Sequence, residues 1–434
     1  MAGAWNRTLQ FFRDDDLLKH AGVMFIASII AGVCNYIYQF YMGRALGPEE
    51  YGIFGSLFAI FYIMNVLTAT IQTSGARFIS KFIGEGKEER ISYYLRGSLK
   101  RMFFLGIFMF LFFVFTSGWL SSFLKIDSIV PVIILGSIFI FSTLYPVNLG
   151  ALQGLQKFVS LGSNTILNFL SKLLFGVVLV AIGFGVNGAL GAVVIGSAIA
   201  LIGSLISLKS FISKTDSENT DFNFSEVYRY SIPTMLFMFC FAVPANIDVI
   251  IAKHFFAAQT AGFYTAATVL GKIILFIPGA IAVAMFPKVS KMYAEKRDTI
   301  HLLNRSVLYT GLLSGIIAAG YWFFPSLVVK IMYGSAYVKV SPVVQLYGIA
   351  MLFFSLTVVL MRYNLAIHDV KYVYLFAFFT FLEIGLLFIF HGSMIEMARI
   401  VLIVNAVLFI SGYGYVSRRF ALLKNLYGGA EDER

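Results

Sequence analysis

The sequence predicts an all-α integral membrane protein with about twelve transmembrane helices, in two six-helix lobes related by a parallel repeat around a central cavity. Three observations lead to this fold class: the composition, the length of the apolar runs and an internal repeat. The chain has 434 residues, of which 59% are hydrophobic and 13% charged. Soluble proteins carry roughly 45–50% apolar and about 25% charged residues. This composition excludes soluble enzymes and disordered chains.

Each long apolar run is predicted to be one transmembrane helix. A spanning helix needs about 20 apolar residues, and lipid favours a helix because an open strand would leave its backbone groups unpaired. The predicted spans cover residues 18–43, 51–74, 102–124, 129–152, 160–183, 188–210, 230–252, 262–286, 306–329, 342–362, 372–390 and 397–416.

The distribution of Lys and Arg predicts the orientation of these spans. If the N-terminus is cytoplasmic, about 25 of the 33 basic residues lie in inner segments and about six in outer loops. Cytoplasmic loops of membrane proteins carry such an excess. We therefore expect a protein of the cytoplasmic membrane with both termini inside, whose net charge of +11 reflects topology. Binding to nucleic acid is not expected.

An internal repeat relates the two halves of the chain. A shift of 210 residues aligns Tyr51–Phe54 with Ala261–Tyr264, and the same shift aligns Ser80–Lys81 with Ser290–Lys291. Each repeat holds an even number of spans, so both halves enter the membrane in the same direction, as in parallel transporter repeats. Such a design supports alternating access.

A polar stretch between the two halves is predicted to be a cytoplasmic linker. It separates the sixth span from the seventh and holds several acidic residues and few apolar ones. The predicted organisation is a cytoplasmic segment 1–17, an N-lobe 18–213 with six helices, a linker 214–228, a C-lobe 229–417 with six helices, and a cytoplasmic tail 418–434.

Two lysines lie inside predicted spans. Lys272 comes about ten residues into the eighth span, which at 1.5 Å per residue is roughly 15 Å deep, and Lys172 lies about as deep in the fifth. Charged side chains are costly in the membrane and usually have a functional role there. Each lysine could contact a ligand or form a structural ion pair.

Amide side chains accompany the lysine of the fifth span. Asn164, Asn168 and Lys172 follow one another at intervals of four residues and therefore share one helix face. Asn35 and Gln39 form a similar stripe on the first span. These amides could line a polar cavity, or they could hold neighbouring helices together. The sequence leaves both interpretations open.

Asp248 and Glu383 are the acidic residues that fall within the predicted spans. Each could neutralise a lysine, or take part in cation coupling or gating. Arg44 and Lys253 lie at helix ends, where long basic side chains typically reach the lipid headgroups. Arg44 could also line the mouth of the cavity.

Motifs for catalysis or metal binding do not emerge from the sequence. The five histidines are scattered, and no spacing suggests a Ser/His/Asp set. We expect no catalytic residue, no metal site and no cofactor apart from a coupling ion, Na+ or H+. A stripe of small residues, Gly311, Gly315 and Ala319, predicts a face for close helix packing.

Five short segments resemble polysaccharide flippases of the multidrug/oligosaccharidyl-lipid/polysaccharide (MOP) exporter superfamily. They occur in the same order and at similar spacing over essentially the whole chain. The segments are Ala45–Phe54 (ALGPEEYGIF), Asn246–Ile251 (NIDVII), Ala261–Ala266 (AGFYTA), Phe286–Lys288 (FPK) and Tyr333–Tyr337 (YGSAY).

The resemblance implies a transporter rather than an enzyme. Its expected substrate is an oligosaccharide linked to a prenyl phosphate or diphosphate, which moves from the inner to the outer leaflet. We expect a monomer that contacts this substrate and membrane lipids, with midplane lysines acting on the phosphate as point charges. The expected substrate contacts are Lys172, Lys272, Asn168, Asn164, Asn35, Gln39 and Arg44, and the expected coupling or gating residues are Asp248 and Glu383.

Three alternatives stay open at this point. A cation-coupled multidrug exporter of the same superfamily typically has a carboxylate in its first helix, but none occurs between Leu18 and Met42. Flippases for lipid-linked peptidoglycan precursors usually carry several arginines on the first two helices, whereas Arg44 and Arg77 lie only at helix ends here. A membrane-embedded glycosyltransferase or polymerase would need paired carboxylates, and the outer loops are poor in acids.

Overall fold

A computed structural model of the chain describes residues 16–428, with gaps at 88, 214–221, 223, 296, 368 and 370. Most of the predicted cytoplasmic segment and linker, and the end of the predicted tail, therefore lie outside the described residues. The described chain is 90% helical and has no strand, which confirms the all-α class.

The first half of the chain forms seven helices within the described residues. The longest of them, α1, contains a break at Gly47, where φ is +71° and the next residue is Pro48. The helices are α1 (Asp16–Gly84), α2 (Glu89–Phe123), α3 (Val130–Gly154), α4 (Phe158–Ala181), α5 (Gly185–Ser207), α6 (Lys209–Ile212) and α7 (Ser225–Ala242).

The second half forms eight α-helices and two 3-10 turns within the described residues. The turns are Ile273–Leu275 and Ser335–Val340. The helices are α8 (Ile247–Phe255), α9 (Ala258–Lys272), α10 (Phe276–Ala294), α11 (Ile300–Phe323), α12 (Pro325–Tyr333), α13 (Ser341–Ala366), α14 (Tyr372–Ile389) and α15 (Met394–Gly428).

The number of apolar helices agrees with the predicted number of spans. Ten described helices are long and apolar enough to cross a membrane, or eleven if α7 and α8 count as one broken span. One of the ten is the 63-residue stretch Gly22–Gly84, which at 1.5 Å per residue would be about 95 Å long if straight. A bilayer core is about 30 Å thick, so the break at Gly47 divides this stretch into two spans, as the sequence predicts.

Two predicted spans are interrupted. The seventh, at 230–252, is broken between Ala242 and Ile247 by a turn that contains Pro244. The eighth, at 262–286, changes to a 3-10 turn directly after Lys272. A 3-10 stretch within a helix often marks a hinge or a strained functional position. Both interruptions lie beside charged residues that the sequence identifies.

The helices form two compact units, and the division lies between Phe239 and Cys240. Most of α7 therefore belongs to the first unit, although segmentation by hydropathy places it in the second half. The reason is packing: Ser74 and Ser231 hydroxyls are 2.7 Å apart, and the Arg77 guanidinium lies 4.1 Å from the centre of the Tyr230 ring. These contacts attach α7 to α1.

Glycines allow α1 and α3 to approach closely. A Cβ atom on Gly150 would lie 2.5 Å from the backbone oxygen of Gln72, and one on Gly75 would lie 3.4 Å from the Cα of Gly150. The Gln72 amide donates a hydrogen bond of 3.1 Å to Gln153 across the same contact. Small residues at helix contacts let backbones pack closely in membranes.

An aromatic cluster joins the start of α7 to α1 and α2. The Phe222 ring lies 5.1 Å from that of Phe82, and the Phe224 ring stacks on Tyr94 at 5.7 Å. The Arg101 guanidinium lies 3.5 Å from the centre of the Phe224 ring, a cation–π contact. Phe222 and Phe224 are both buried, so this end of the predicted linker is fixed to the first unit.

Replacing Phe224 with alanine is expected to lower the free energy of unfolding by about 3 kcal/mol, because a buried ring is lost and a cavity remains. The measurement is thermal unfolding followed by reaction of a thiol dye with Cys34, which is buried. Phe115→Ala is the matched control, since that ring is 83% exposed. Equal melting temperatures for the two variants would contradict this role of Phe224.

Candidate functional site

The first unit contains a polar cluster around Lys172, in the middle of α4. The Lys172 Nζ donates a hydrogen bond of 2.5 Å to the amide oxygen of Asn35 on α1. It also lies 4.7 Å from the centre of the Tyr38 ring and 4.8 Å from that of Phe169. The lysine is only 6% exposed. The structure thus brings together Asn35 and Lys172, which the sequence assigns to separate stripes.

Gln39 extends this cluster along α1. It is buried, its amide donates to the Tyr62 hydroxyl at 3.3 Å, and its carbonyl accepts from the Tyr51 hydroxyl at 3.4 Å. Tyr62 also lies within hydrogen-bonding reach of Asn35. We name Asn35, Gln39, Tyr51, Tyr62 and Lys172 the first polar cluster.

The remaining amides of α4 have a different environment. Asn164 is buried and donates to the Ser160 carbonyl at 2.8 Å and to the Ser207 hydroxyl of α5 at 3.3 Å, which is a helix-packing contact. Asn168 is partly exposed and lies beside Tyr145. Arg44 is exposed, near the break in α1. None of these three residues makes a described hydrogen bond to Lys172.

The second unit contains a polar cluster around Asp248, at the start of α8. One carboxylate oxygen accepts hydrogen bonds from the Tyr347 hydroxyl at 2.8 Å and from the Tyr264 hydroxyl at 3.1 Å. All three side chains have 0% exposure. The other oxygen, Oδ1, has no hydrogen-bond partner among the described residues.

Lys272 lies in the same unit and near the same carboxylate. Its ammonium donates a hydrogen bond of 3.1 Å to the amide oxygen of Asn246, and it interacts electrostatically with Asp248. Unlike Lys172, it is partly exposed. The Asn246 amide donates to the Ala242 carbonyl at 2.9 Å, which orients its oxygen towards the lysine. We name Asn246, Asp248, Tyr264, Lys272 and Tyr347 the second polar cluster.

Glu383 on α14 lies next to the second polar cluster. It is 1% exposed and interacts electrostatically with Asp248, Tyr264 and Tyr347. Its Oε1 has no hydrogen-bond partner among the described residues. Two neighbouring buried carboxylates, each with one oxygen that lacks a hydrogen-bond partner among the described residues, favour binding of a proton or a cation.

Lys253 differs from the sequence expectation. The sequence places this residue at a helix end, where its ammonium would reach the headgroups, but its side chain is 1% exposed. Burial excludes the expected position at the lipid surface. Arg77, another basic residue at the end of a predicted span, packs on the Tyr230 ring.

Sequence reasoning did not identify the tyrosines or Asn246 as site residues. The repeat contains a signal for them: Tyr62 and Lys272 are 210 positions apart, and Asn35 and Asn246 are 211 apart. Near-equivalent positions in the two halves thus contribute to the two polar clusters. The first cluster contains a lysine and no carboxylate, whereas the second contains Asp248 and Lys272 with Glu383 beside it.

Comparison with solved structures identifies the class of fold. An inward-facing multidrug resistance MATE family transporter of the MOP superfamily matches with a TM-score of 0.75 and 17% identity, over 91% of this chain and 96% of that chain. An outward-facing transporter of the same kind matches with a TM-score of 0.66 and 17% identity, over 94% and 96%. A MOP superfamily transporter from Pyrococcus furiosus, described as having a binding pocket of reverse polarity, matches with a TM-score of 0.65 and 18% identity, over 94% and 96%.

The fold is therefore that of MOP superfamily transporters, which confirms the predicted fold class and resemblance. The sequence model of one family, described as "Polysaccharide biosynthesis protein", matches residues 41–342. The chain belongs to this polysaccharide biosynthesis protein family. None of the curated proteins matches it.

Proposed function

We propose that the protein is a flippase that moves an oligosaccharide linked to a prenyl phosphate or diphosphate from the inner to the outer leaflet by alternating access. Membership of the polysaccharide biosynthesis protein family supports the sugar part of the substrate. The observation that carries the proposal is a lysine bonded to an asparagine amide within a predicted span of each unit, Lys172 and Lys272. An ammonium there is suited to the phosphate of such a substrate.

Lys272 is the better placed of the two lysines for a direct phosphate contact. It is partly exposed, and its hydrogen-bond partner is the neutral amide oxygen of Asn246. A phosphate oxygen could replace that amide oxygen without breaking an ion pair. Lys172 is more deeply buried, so contact with a phosphate would require the first polar cluster to open.

Asp248 and Glu383 are the proposed coupling groups. Each has a buried carboxylate oxygen without a hydrogen-bond partner among the described residues, and each lies close to the other's charge. Binding of Na+ or H+ would relieve this repulsion and satisfy the oxygens. Because Asp248 also interacts with Lys272, the coupling ion and the phosphate would influence each other's binding.

We further propose a location and an orientation for the protein. The excess of Lys and Arg in alternate loops supports a cytoplasmic membrane protein with both termini inside. We propose no catalytic residue, because a transporter carries out no chemical reaction on its substrate. The matching solved structure is likewise described as a transporter.

A second candidate is a multidrug exporter driven by a cation. The fold likeness to multidrug resistance MATE transporters favours it. The absence of any acidic residue between Leu18 and Met42 argues against it.

The proposed test is transport in proteoliposomes. The purified protein is reconstituted with a fluorescent prenyl-diphosphate oligosaccharide, and its arrival in the opposite leaflet is measured with a membrane-impermeant quencher. We expect protein-dependent movement of this lipid, and no efflux of a cationic dye. A lipid-linked peptidoglycan precursor in a parallel assay separates the two flippase substrates. Dye efflux without lipid movement would replace the flippase proposal by the multidrug alternative.

A further inference from the structure

Lys172 has an environment that is unusual for an ammonium group. It is 6% exposed, and its contacts are one amide oxygen, from Asn35, and the faces of two aromatic rings, Tyr38 and Phe169. All of these partners are neutral. The backbone of α5 lies against the backbone of α4 at this level, since a Cβ atom on Gly196 would lie 3.2 Å from the Cα of Lys172.

The helices packed against α4 supply no counter-ion for this lysine. Among the described residues, α4 packs against α1, α3 and α5. The sequences of α3 and α5 contain no acidic or basic residue, and the tyrosine of α3, Tyr145, donates its hydroxyl to the Asn164 carbonyl at 2.9 Å. Lys172 is the charged residue of α4 itself.

The titratable groups of α1 do not neutralise Lys172 either. Cys34, which lies near it, carries a thiol and not a carboxylate, and Tyr38 donates its hydroxyl to the Ala189 carbonyl at 2.6 Å. The acidic residues of α1 are Asp16, at its start, and Glu49 and Glu50, beside the break. Glu50 lies against Gly185 at the beginning of α5. Lys172 lies against Gly196 of the same helix, which is about 16 Å further along its axis.

A buried ammonium with neutral partners only is expensive, and loss of its proton removes most of that cost. Cation–π and amide contacts offset part of it. Lysine can lose its proton in such a place, whereas an arginine would stay charged. Lys272 differs because it is partly exposed and has a carboxylate nearby.

We infer that Lys172 is a proton-exchange group of the first unit: the amine is neutral while the first polar cluster is closed, and takes up a proton when water reaches it. In each cycle one N–H bond forms with a proton from outer water. The same bond breaks on the inner side, where water accepts the proton and the nitrogen keeps the electron pair. Asn35 accepts a hydrogen bond from the nitrogen in both states. This inference rests on the proposed flippase function and names H+ as an ion that drives it.

The first test does not depend on transport. If the amine is neutral in the closed cluster, as inferred, folding releases a proton, and the stability of the wild-type protein rises with pH through this group. Lys172→Met removes the effect. The melting temperature of Lys172→Met minus that of the wild type is therefore expected to be positive at pH 6 and to fall by about 3 °C or more by pH 9.

Lys330→Met is the matched control, since Lys330 is exposed, and its difference from the wild type is expected to be independent of pH. A difference for Lys172→Met that is equally independent of pH would mean that the lysine keeps its proton, and would overturn the inference.

The second test uses a proton gradient across proteoliposomes. We expect outside acid to speed wild-type movement of the lipid-linked sugar at least tenfold, and this ratio to fall to about one in Lys172→Arg, which cannot release its proton. A retained ratio in Lys172→Arg would contradict proton exchange at this site. If the wild type moves no lipid-linked sugar, the flippase proposal fails, while the melting experiment still decides the role of Lys172.

Discussion

Replacing Asp248 with asparagine is expected to lower the rate of lipid-linked sugar transport at least tenfold while the protein still folds. Asparagine keeps an oxygen that can accept hydrogen bonds from Tyr264 and Tyr347, so the second polar cluster stays connected. The substitution removes the negative charge that acts on Lys272 and Glu383. A tenfold change corresponds to about 1.4 kcal/mol, which is modest for a charge in a low-dielectric site.

The measurement is transport in proteoliposomes containing equal amounts of folded protein. Asp248→Leu is the informative second variant, because it leaves two buried tyrosine hydroxyls without an acceptor, at a cost of about 1–3 kcal/mol each. We expect that variant to lose folded yield as well as transport. Wild-type transport by Asp248→Asn would show that the charge of Asp248 is not needed and would contradict its proposed role in coupling.

Replacing Gly150 with valine is expected to abolish most of the folded yield. The new Cβ would lie 2.5 Å from the Gln72 oxygen and 3.2 Å from the Ala76 nitrogen. Both are backbone atoms, so α1 and α3 would have to separate along the contact that Gly75 and Gly150 form. Overpacking commonly costs about 1–3 kcal/mol, and displacement of a whole helix costs more.

The measurement is the monodisperse fraction after size-exclusion chromatography in detergent. Gly315→Val is the matched control, because a Cβ at Gly315 meets no described atom within 4 Å. We expect that control to fold at close to the wild-type yield. Loss of yield in both variants would mean that the residue type, rather than the close approach of two helices, explains the effect.

Close packing of two helices is predicted poorly by a pattern of small residues in the sequence. The stripe Gly311, Gly315 and Ala319 indicated a packing face, yet Gly315 has open space and Gly311 meets only Leu356 at 3.7 Å. One close approach of two backbones is instead at Gly75 and Gly150, which lie on different helices. A small residue permits close packing, but whether a neighbour comes near depends on the crossing of two helices.

The polar residues show the same division between local and tertiary information. Sequence reasoning placed Lys172, Lys272, Asp248 and Glu383 in the membrane interior because hydropathy fixes depth. It did not indicate that Asp248 would accept bonds from Tyr264 and Tyr347, nor that Lys272 would bond to Asn246. The chain has 23 tyrosines, so the presence of a tyrosine in a predicted span carries no such signal.

The sequence by itself determined the all-α class, the approximate position of the spans and the relation to the MOP superfamily. Lipid makes this possible, since a segment that crosses it must be helical and apolar whatever its neighbours are. Only the tertiary structure decided which polar groups meet, where α7 belongs and where two backbones touch. Those features depend on how each helix is rotated about its axis and how it crosses its neighbours. Asn35 and Lys172 lie 137 positions apart, and the sequence around each of them does not indicate that they are in contact.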